Sequence, residues 1–244
     1  MLKKIQRFWF RYVSARMETL TATVGVAGLA SCLIALWVAA KLCREVWERE
    51  AFGFDESFLL WLHQFASPAL DSVMLALTQL GNPAVVTPLA CIILGLLVWQ
   101  RHWQEATFFA IACLGATILN TGLKLVFNRI RPDLWQHLIV ETSFSFPSGH
   151  ALGSVVLYGA IAYLLSQTYP QWSKAIYALA GMLTGAISLS RLYLGVHWLT
   201  DVIAGISIGF LWLTICITML KLQRLKHTPS PLRNEDRSGL RLLL

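Results

Sequence analysis

Six apolar runs follow one another along the 244-residue chain, separated by stretches in which charged and polar residues collect. Each run is close to the roughly 20 residues that an α-helix needs to cross the hydrocarbon core of a bilayer. The pattern therefore predicts an all-α, polytopic membrane protein. Its six transmembrane helices are predicted at residues 19–40, 84–99, 106–123, 151–168, 175–189 and 202–220. In the last run, Gly205 and Gly209 form a G-x-x-x-G that would let a neighbouring helix approach closely.

The segment between the first two runs, residues 41–82, has a different pattern. It carries several charges, and its apolar residues Phe58, Leu59, Leu62 and Phe65 recur at the spacing of one helix face. We expect two short interfacial helices here, separated near residue 67. They either shape an entrance for a lipid or form a lid that packs on the bundle.

Both ends of the chain are polar. Residues 1–18 mix basic and aromatic side chains. This mixture is typical of an amphipathic segment that lies on the anionic cytoplasmic leaflet. It is equally typical of a flanking segment that only sets the membrane topology. The six-span domain is expected to cover residues 19–221. The remaining residues, 222–244, are expected to form a cytoplasmic, disordered tail.

Composition and charge support this organisation. Hydrophobic residues make up 56% of the chain and charged residues 14%, and the formal net charge is +7. The basic residues flank the apolar runs, so we exclude nucleic acid as a partner and assign the charge to topology. The termini and the turns near Arg101 and Lys174 hold 13 of the 20 Lys and Arg residues, which predicts a plasma-membrane protein with cytoplasmic termini. The five cysteines show no spacing typical of a disulfide framework or a metal site.

Three polar clusters stand at the ends of apolar runs on the predicted extracytoplasmic side. They hold cations that can bind an oxyanion, imidazoles that can move protons or attack phosphorus, and a carboxylate that can orient an imidazole. This combination predicts a phosphate-cleaving site at a membrane surface. The clusters consist of Lys124, Arg129, Arg131 and Pro132; of Pro147, Ser148, Gly149 and His150; and of Ser190, Arg191, His197 and Asp201.

Lys124 and Arg131 have two interpretations. Either residue alone could anchor the third span at the interface, as we expect for Arg129. Together, a planar guanidinium and a compact ammonium suit the oxygens of a phosphoryl group. Pro132 predicts that the third helix ends just before Arg131, with Lys124 and Arg131 near one face of it.

The other two clusters also allow simpler readings. Ser148 could merely cap the fourth span, or could form an anion site at that helix start together with Gly149 and His150. His197 and Asp201 are four residues apart, so the carboxylate can bind one imidazole nitrogen and leave the other free as a nucleophile. Both residues, together with Arg191, are expected in the connection between the fifth and sixth spans.

On these residues the chain resembles the type 2 phosphatidic acid phosphatases, the membrane branch of the superfamily that includes the vanadium-dependent haloperoxidases. The family pattern is K-x6-R-P, then P-S-G-H, then S-R-x5-H-x3-D. The three clusters fill every specified position in that order. The likeness extends over the six spans and leaves out the N-terminal segment and the tail.

The resemblance implies a phosphatase that needs neither metal nor cofactor and forms a phosphohistidine intermediate. His197 would attack phosphorus, Asp201 would hold its tautomer, and His150 would protonate the leaving oxygen and then activate water. The expected substrate is a lipid phosphate drawn from the membrane lipids, such as phosphatidate, phosphatidylglycerophosphate or undecaprenyl diphosphate. The phosphoryl oxygens would be held by Lys124, Arg131, Ser148, Gly149 and Arg191.

Three other functions are compatible with six spans. A transporter or channel would normally carry ionisable groups inside the membrane, and the six predicted apolar cores contain no Asp, Glu, Lys, Arg or His. A haloperoxidase would use the same site with vanadate, which the multi-span lipid setting disfavours. A phosphatase for a water-soluble phosphomonoester stays the main alternative, because the motifs contact only the phosphate.

Overall fold

The computed structural model describes residues 25–49 and 53–227, which contain eight α-helices and no strand. The all-α prediction is confirmed. A short 3-10 helix, Pro170–Trp172, precedes the seventh α-helix. The α-helices are α1 (Val26–Trp47), α2 (Gly53–His63), α3 (Pro68–Gln79), α4 (Pro83–Trp99), α5 (Trp103–Phe127), α6 (Gly149–Thr168), α7 (Ser173–Tyr193) and α8 (Leu199–His227).

Six segments of the described chain are long and apolar enough to cross a membrane. The prediction of a six-span, multi-pass protein is therefore confirmed. The second segment joins α3 and α4 across a three-residue turn, and the others each centre on one helix. They are Val26–Trp47, Pro68–Trp99, Trp103–Phe127, Gly149–Thr168, Pro170–Tyr193 and Leu199–Arg224.

Several boundaries differ from those predicted. Helix α1 continues to Trp47, seven residues past the predicted end of the first span, because Lys41, Arg44, Glu45 and Glu48 form i,i+4 ion pairs along its last turns. The two predicted short helices are α2 and α3, and Ser67 caps the start of α3. Helix α8 includes residues 222–227, so this part of the predicted tail is helical. Three predicted parts lie outside the described residues: the N-terminal segment 1–18, the start of the first span (residues 19–24) and the rest of the tail (residues 228–244).

Helix α5 ends three residues earlier than Pro132 alone would require. Asn128 takes up the left-handed conformation with φ of 46°, and its backbone N–H donates to the carbonyl of Lys124. Asparagine accepts this conformation more readily than most residues, so it terminates the helix at Phe127. Arg131 consequently lies in the loop that follows α5, and the prediction that the helix ends just before Arg131 is wrong by three residues. The face of α5 therefore does not place Arg131 near Lys124; instead, both side chains bond to Ser143 of the loop.

Helix α6 is the centre of the bundle and packs against α5, α7 and α8. Its apolar side chains share one core cluster with residues of α5 and α8, including Phe109, Val156 and Leu213. Helix α8 approaches α6 closely at the predicted G-x-x-x-G. A Cβ added to Gly205 would stand 2.7 Å from the Ser148 carbonyl oxygen, and one added to Gly209 would stand 2.9 Å from the Leu152 carbonyl oxygen. The predicted close approach is confirmed, and its partner is a helix of the same chain.

This close approach predicts the effect of a single methyl group. Gly209→Ala should lower the free energy of unfolding by about 1–3 kcal/mol, because the new Cβ meets backbone atoms of α6 that have no rotamer in which to move away. Gly181→Ala is the matched control, since a Cβ at Gly181 in α7 has no heavy atom within 4 Å. Thermal unfolding in detergent should show a loss for the first variant and no loss for the second.

Candidate active site

The close packing of α6 on α8 brings the three polar clusters to one end of the bundle. The backbone N–H of Ser148, just before α6, donates to the carbonyl of Asp201 at 3.0 Å. Arg191 lies in the last turn of α7 and Asp201 in the first turn of α8, so only His197 of the three is in the connection. The predicted placement of Arg191 and Asp201 between the helices is wrong, because both helices extend further than their apolar runs.

His197 and Asp201 form a buried pair. His197 Nδ1 is 3.4 Å from Asp201 Oδ2, and the side chains are 1% and 0% exposed. The same carboxylate oxygen also accepts hydrogen bonds from the Ser145 hydroxyl and from the backbone N–H of Trp198. These bonds fix the carboxylate and, through it, the orientation of the imidazole ring.

The contacts of His197 also assign its tautomer. Nε2 lies 3.2 Å from Nη1 of Arg131. A guanidinium can only donate, so Nε2 is the acceptor and the ring proton resides on Nδ1, facing Asp201. Nε2 therefore presents a lone pair toward the side from which Arg131 approaches.

Arg131 and Lys124 are held by the loop between α5 and α6. Arg131 Nε donates to the Ser143 carbonyl at 2.8 Å, and Nη1 donates to the Val196 carbonyl at 2.5 Å. Lys124 Nζ donates to the Ser143 hydroxyl at 3.2 Å and to the Phe144 carbonyl. Arg131 thus reaches His197 directly, whereas the Lys124 ammonium is bonded to the loop.

Arg191 is 1% exposed and has two side-chain partners from other elements. Nη1 donates to the Thr78 hydroxyl of α3 at 2.7 Å, and Nη2 donates to the carboxylate of Glu141. Its Nε is buried without a hydrogen-bond partner from the described residues. A buried guanidinium with an unused donor can bind a further oxygen atom.

The start of α6 supplies the remaining predicted residues. The Ser148 hydroxyl accepts from the Ala151 N–H at 3.5 Å, so Ser148 is the N-cap of this helix. Gly149 packs against the side chain of Asn120, where a Cβ would stand 3.0 Å from Nδ2. The Nε2 atom of His150 is buried and has no partner among the described residues.

Arg129 does not anchor the span at the interface, and the expectation that it would is wrong. It lies between two buried carboxylates: Nη1 donates to Asp201 Oδ1 at 2.5 Å, and Nη2 donates to Asp55 Oδ2 at 3.0 Å. Asp55, in the first turn of α2, also accepts from the backbone N–H and the hydroxyl of Thr200. Helix α2 is therefore connected to the start of α8 by charge-assisted hydrogen bonds.

A cavity of about 600 Å³ opens at these residues and extends between α4, α5 and α6. Its charged end is lined by Lys124, Arg131, Glu141, His150 and His197. Its other end is lined by apolar side chains, including Ala90, Leu94, Phe109 and Val156. Lys124 and Phe109 are fifteen residues apart on α5, which corresponds to about 22 Å along the helix. The cavity therefore joins an anion-binding end to an apolar channel.

Within residues 25–49 and 53–227, no group of three or more His, Cys, Asp and Glu side chains is arranged to hold a metal ion. The charged end of the cavity combines cations, two imidazoles and a carboxylate paired with one of them. Such a set can bind a phosphoryl group, attack it and transfer a proton.

Burial sets the protonation of His197. It lowers the pKa of this imidazole to about 4, although the hydrogen bond to Asp201 acts in the opposite direction. Because the folded pKa lies below the unfolded value of 6.5, the stability contributed by this group is complete above pH 6.5. It is lost as the pH falls from 6.5 toward 4.

This pKa predicts a neutral His197 throughout the physiological range. In NMR titrations of ligand-free protein carrying labelled histidine, the imidazole of His197 should stay neutral down to about pH 5. His197→Asn, which lacks that resonance, assigns the signal. A His197 signal that titrates near pH 6.5, the value of an unperturbed imidazole, would contradict the prediction.

Several residues of this region were not singled out from the sequence. Glu141 lies in an irregular loop, and no local pattern marks it. Asp55 stands in a charged stretch where any of several acidic residues could be buried. Arg129 belongs to the first predicted cluster, but a basic residue at a span end is usually an anchor, so its ion pairs with Asp55 and Asp201 were not foreseen. The others are Thr78, Ser145 and Thr200.

Comparison with known proteins identifies the family. The sequence profile of the PAP2 superfamily matches residues 105–224. The chain is 38% identical over 148 residues to phosphatidylglycerophosphatase B of Bacillus subtilis, covering 59% of this chain and 72% of that protein. It is 31% identical over 162 residues to undecaprenyl-diphosphatase of Sulfolobus acidocaldarius, covering 64% and 74%.

A solved structure gives the same result for the fold. The crystal structure of a transmembrane PAP2 type phosphatidylglycerolphosphate phosphatase from Bacillus subtilis superposes with a TM-score of 0.68 and 30% identity, covering 82% of this chain and 96% of that one. The resemblance found from the motifs is confirmed. The chain therefore belongs to the PAP2 superfamily and is a membrane phosphatase.

Proposed function

We propose that this phosphatase hydrolyses the phosphate or diphosphate group of a membrane lipid by way of a phosphohistidine at His197. The observation that carries the proposal is the cavity, whose charged end contains both histidines and whose remainder is an apolar channel. An acyl or isoprenoid chain fits such a channel, whereas a water-soluble phosphomonoester would leave it unused. The relatives named for phosphatidylglycerophosphate and undecaprenyl diphosphate support the same class of substrate.

In the proposed first step, Nε2 of His197 attacks the terminal phosphorus, and the bond between that phosphorus and the oxygen that links it to the rest of the lipid breaks. His150 gives its proton to that oxygen, so the lipid leaves as an alcohol, or as a monophosphate when the substrate is a diphosphate. Asp201 stabilises the imidazolium that forms on His197. The phosphoryl oxygens are held by Lys124, Arg131, Arg191, Ser148 and the Gly149 amide.

In the second step, His150 removes a proton from water, and the water oxygen attacks the phosphorus of the phosphohistidine. The bond between phosphorus and Nε2 breaks, inorganic phosphate leaves, and His197 returns to its neutral form. This sequence needs no metal ion, so phosphate release should continue in the presence of EDTA.

We further propose a topology in which the termini are cytoplasmic and the site faces the extracytoplasmic side of the plasma membrane. The support is the excess of Lys and Arg in the termini and in the turns at Arg101 and Lys174. A reporter that is active only in the cytoplasm should be active when fused to the C-terminus and inactive when inserted in the loop after α5.

The proposal is tested by measuring phosphate release in EDTA from phosphatidate, phosphatidylglycerophosphate, undecaprenyl diphosphate and a water-soluble phosphomonoester. We expect the best lipid to exceed the soluble substrate in kcat/KM. Ala90→Phe, which fills the apolar channel, should reduce lipid hydrolysis much more than hydrolysis of the soluble substrate. Leu179→Phe, on an exposed face of α7, is the matched control.

An equal effect of Ala90→Phe on both kinds of substrate would contradict the lipid assignment and favour the water-soluble phosphomonoester.

A further inference from the structure

Glu141 places a carboxylate among the cations at the charged end of the cavity. Its Oε1 accepts from Nη2 of Arg191, and its Oε2 lies 3.7 Å from Nη2 of Arg131. Its side chain is 26% exposed and lines the same cavity as His150 and His197. One carboxylate therefore bridges two guanidinium groups that come from separate elements, α7 and the loop after α5.

A bridging carboxylate and a bound phosphoryl group make the same kind of contact. Each presents two oxygens that accept from neighbouring guanidinium groups. Among the residues that the structure describes, Glu141 supplies the carboxylate that pairs with buried Arg191. Without an anion at this place, Arg191 would be a buried and uncompensated cation, which is strongly unfavourable.

The ionisation of Glu141 fits this arrangement. Burial alone would favour the neutral acid, but the guanidinium groups of Arg191 and Arg131 outweigh it and hold the pKa of Glu141 below its usual value. Glu141 is therefore a carboxylate at neutral pH.

We infer that Glu141 is an internal competitor for the phosphoryl group: its carboxylate occupies the place between Arg191 and Arg131 in the empty enzyme and is displaced when substrate binds. This inference rests on the proposed function, in which these two arginines hold the phosphoryl oxygens. Glu141 lies in the loop between α5 and α6, outside any helix, so its withdrawal disrupts no helical hydrogen bonds. When phosphate has been formed, the returning carboxylate competes with it for the same cations and favours its release.

Competition from the Glu141 carboxylate should weaken the measured affinity of the site for phosphate. A ligand that binds only molecules whose site is open has its apparent dissociation constant raised by the inverse of the open fraction. If Glu141 occupies the site in nine of ten molecules, removing it should tighten phosphoryl binding about tenfold.

The test measures the equilibrium binding of inorganic phosphate to the purified full-length protein by calorimetry at pH 7.5. Glu141→Gln keeps the shape of the side chain and removes its charge, and we expect its dissociation constant for phosphate to fall about tenfold. Glu56→Gln, which makes the same change at an exposed position of α2, should leave phosphate binding unchanged. Unchanged or weaker phosphate binding by Glu141→Gln would overturn the inference and leave Glu141 as a residue that positions Arg191.

A second variant covers the case in which Glu141→Gln does not fold. Glu141→Asp keeps the charge but is too short to bridge both guanidinium groups, so it should also bind phosphate more tightly than the unaltered protein. Weaker or equal binding would again contradict the inference. Calorimetry measures binding and does not depend on turnover. A protein that binds phosphate but releases none from any lipid would contradict the proposed function. The comparison of variants would still decide the role of Glu141.

Discussion

Replacing His197 with alanine is expected to reduce phosphate release from lipid substrates by about four orders of magnitude or more, since removal of an enzymic nucleophile has effects of this size. His197 is the buried imidazole whose Nδ1 faces Asp201 and whose Nε2 faces Arg131. Alanine leaves no atom that could form a bond to phosphorus. The measurement is kcat for the best lipid substrate at saturation, with the amount of folded protein checked by thermal unfolding.

The comparison with His150→Ala separates the two proposed roles. This variant should lose about 10²–10⁴-fold in rate, which is typical of general acid–base residues, but should still carry a nucleophile. With labelled substrate we expect a phosphorylated protein to be trapped in His150→Ala and not in His197→Ala. His102→Ala, at an exposed position before α5, is the control and should keep full activity. A labelled His197→Ala protein would show that the nucleophile lies elsewhere.

Replacing Arg129 with glutamine is expected to be among the most destabilising single changes in the described bundle. It removes the cation between Asp55 and Asp201, which are 1% and 0% exposed. Loss of one member of a buried ion pair costs about 3–5 kcal/mol, because the other charge stays buried. For a chain of this size that corresponds to a fall of roughly 10 °C in the unfolding midpoint. The activity of the folded fraction should also fall, because Asp201 loses one of the partners that orient it toward His197.

Arg224→Gln is the matched control for this effect. Arg224 pairs with Glu105 at the other end of the bundle, where the two side chains are 33% and 24% exposed. A pair at that level of exposure contributes about 0–1 kcal/mol. The unfolding midpoint could instead fall equally in both variants, or could stay unchanged in Arg129→Gln. Either result would show that the network of Asp55, Arg129 and Asp201 does not stabilise the fold.

The number of spans and the three clusters could be predicted because they depend on composition and on spacing within short segments. The ends of the helices could not, because they depend on single side chains. Helix α5 stops at Phe127 since Asn128 accepts a left-handed conformation, so Arg131 lies four residues past the helix end and not directly after it. Helix α1 runs on to Trp47 because charged residues can extend a helix beyond its apolar run.

The partners of the predicted residues were harder to foresee for a different reason. Glu141 meets Arg191 and Asp55 meets Arg129 across separations of 50 and 74 residues. Motifs are defined within segments and contain no information on which distant side chain neutralises which charge. Asp55 also changes the interpretation of α2. This helix is bonded to Thr200 and Arg129, so it is part of the charged end of the bundle and not merely a cover above it.

The apolar channel between α4, α5 and α6 affects the route by which a lipid substrate reaches the active site. A lipid whose tail enters the channel comes from within the bilayer and not from the surrounding water. The rate is then governed by the mole fraction of lipid phosphate in the surrounding leaflet, and dilution with inert lipid slows the reaction even when the total amount of substrate per volume is constant.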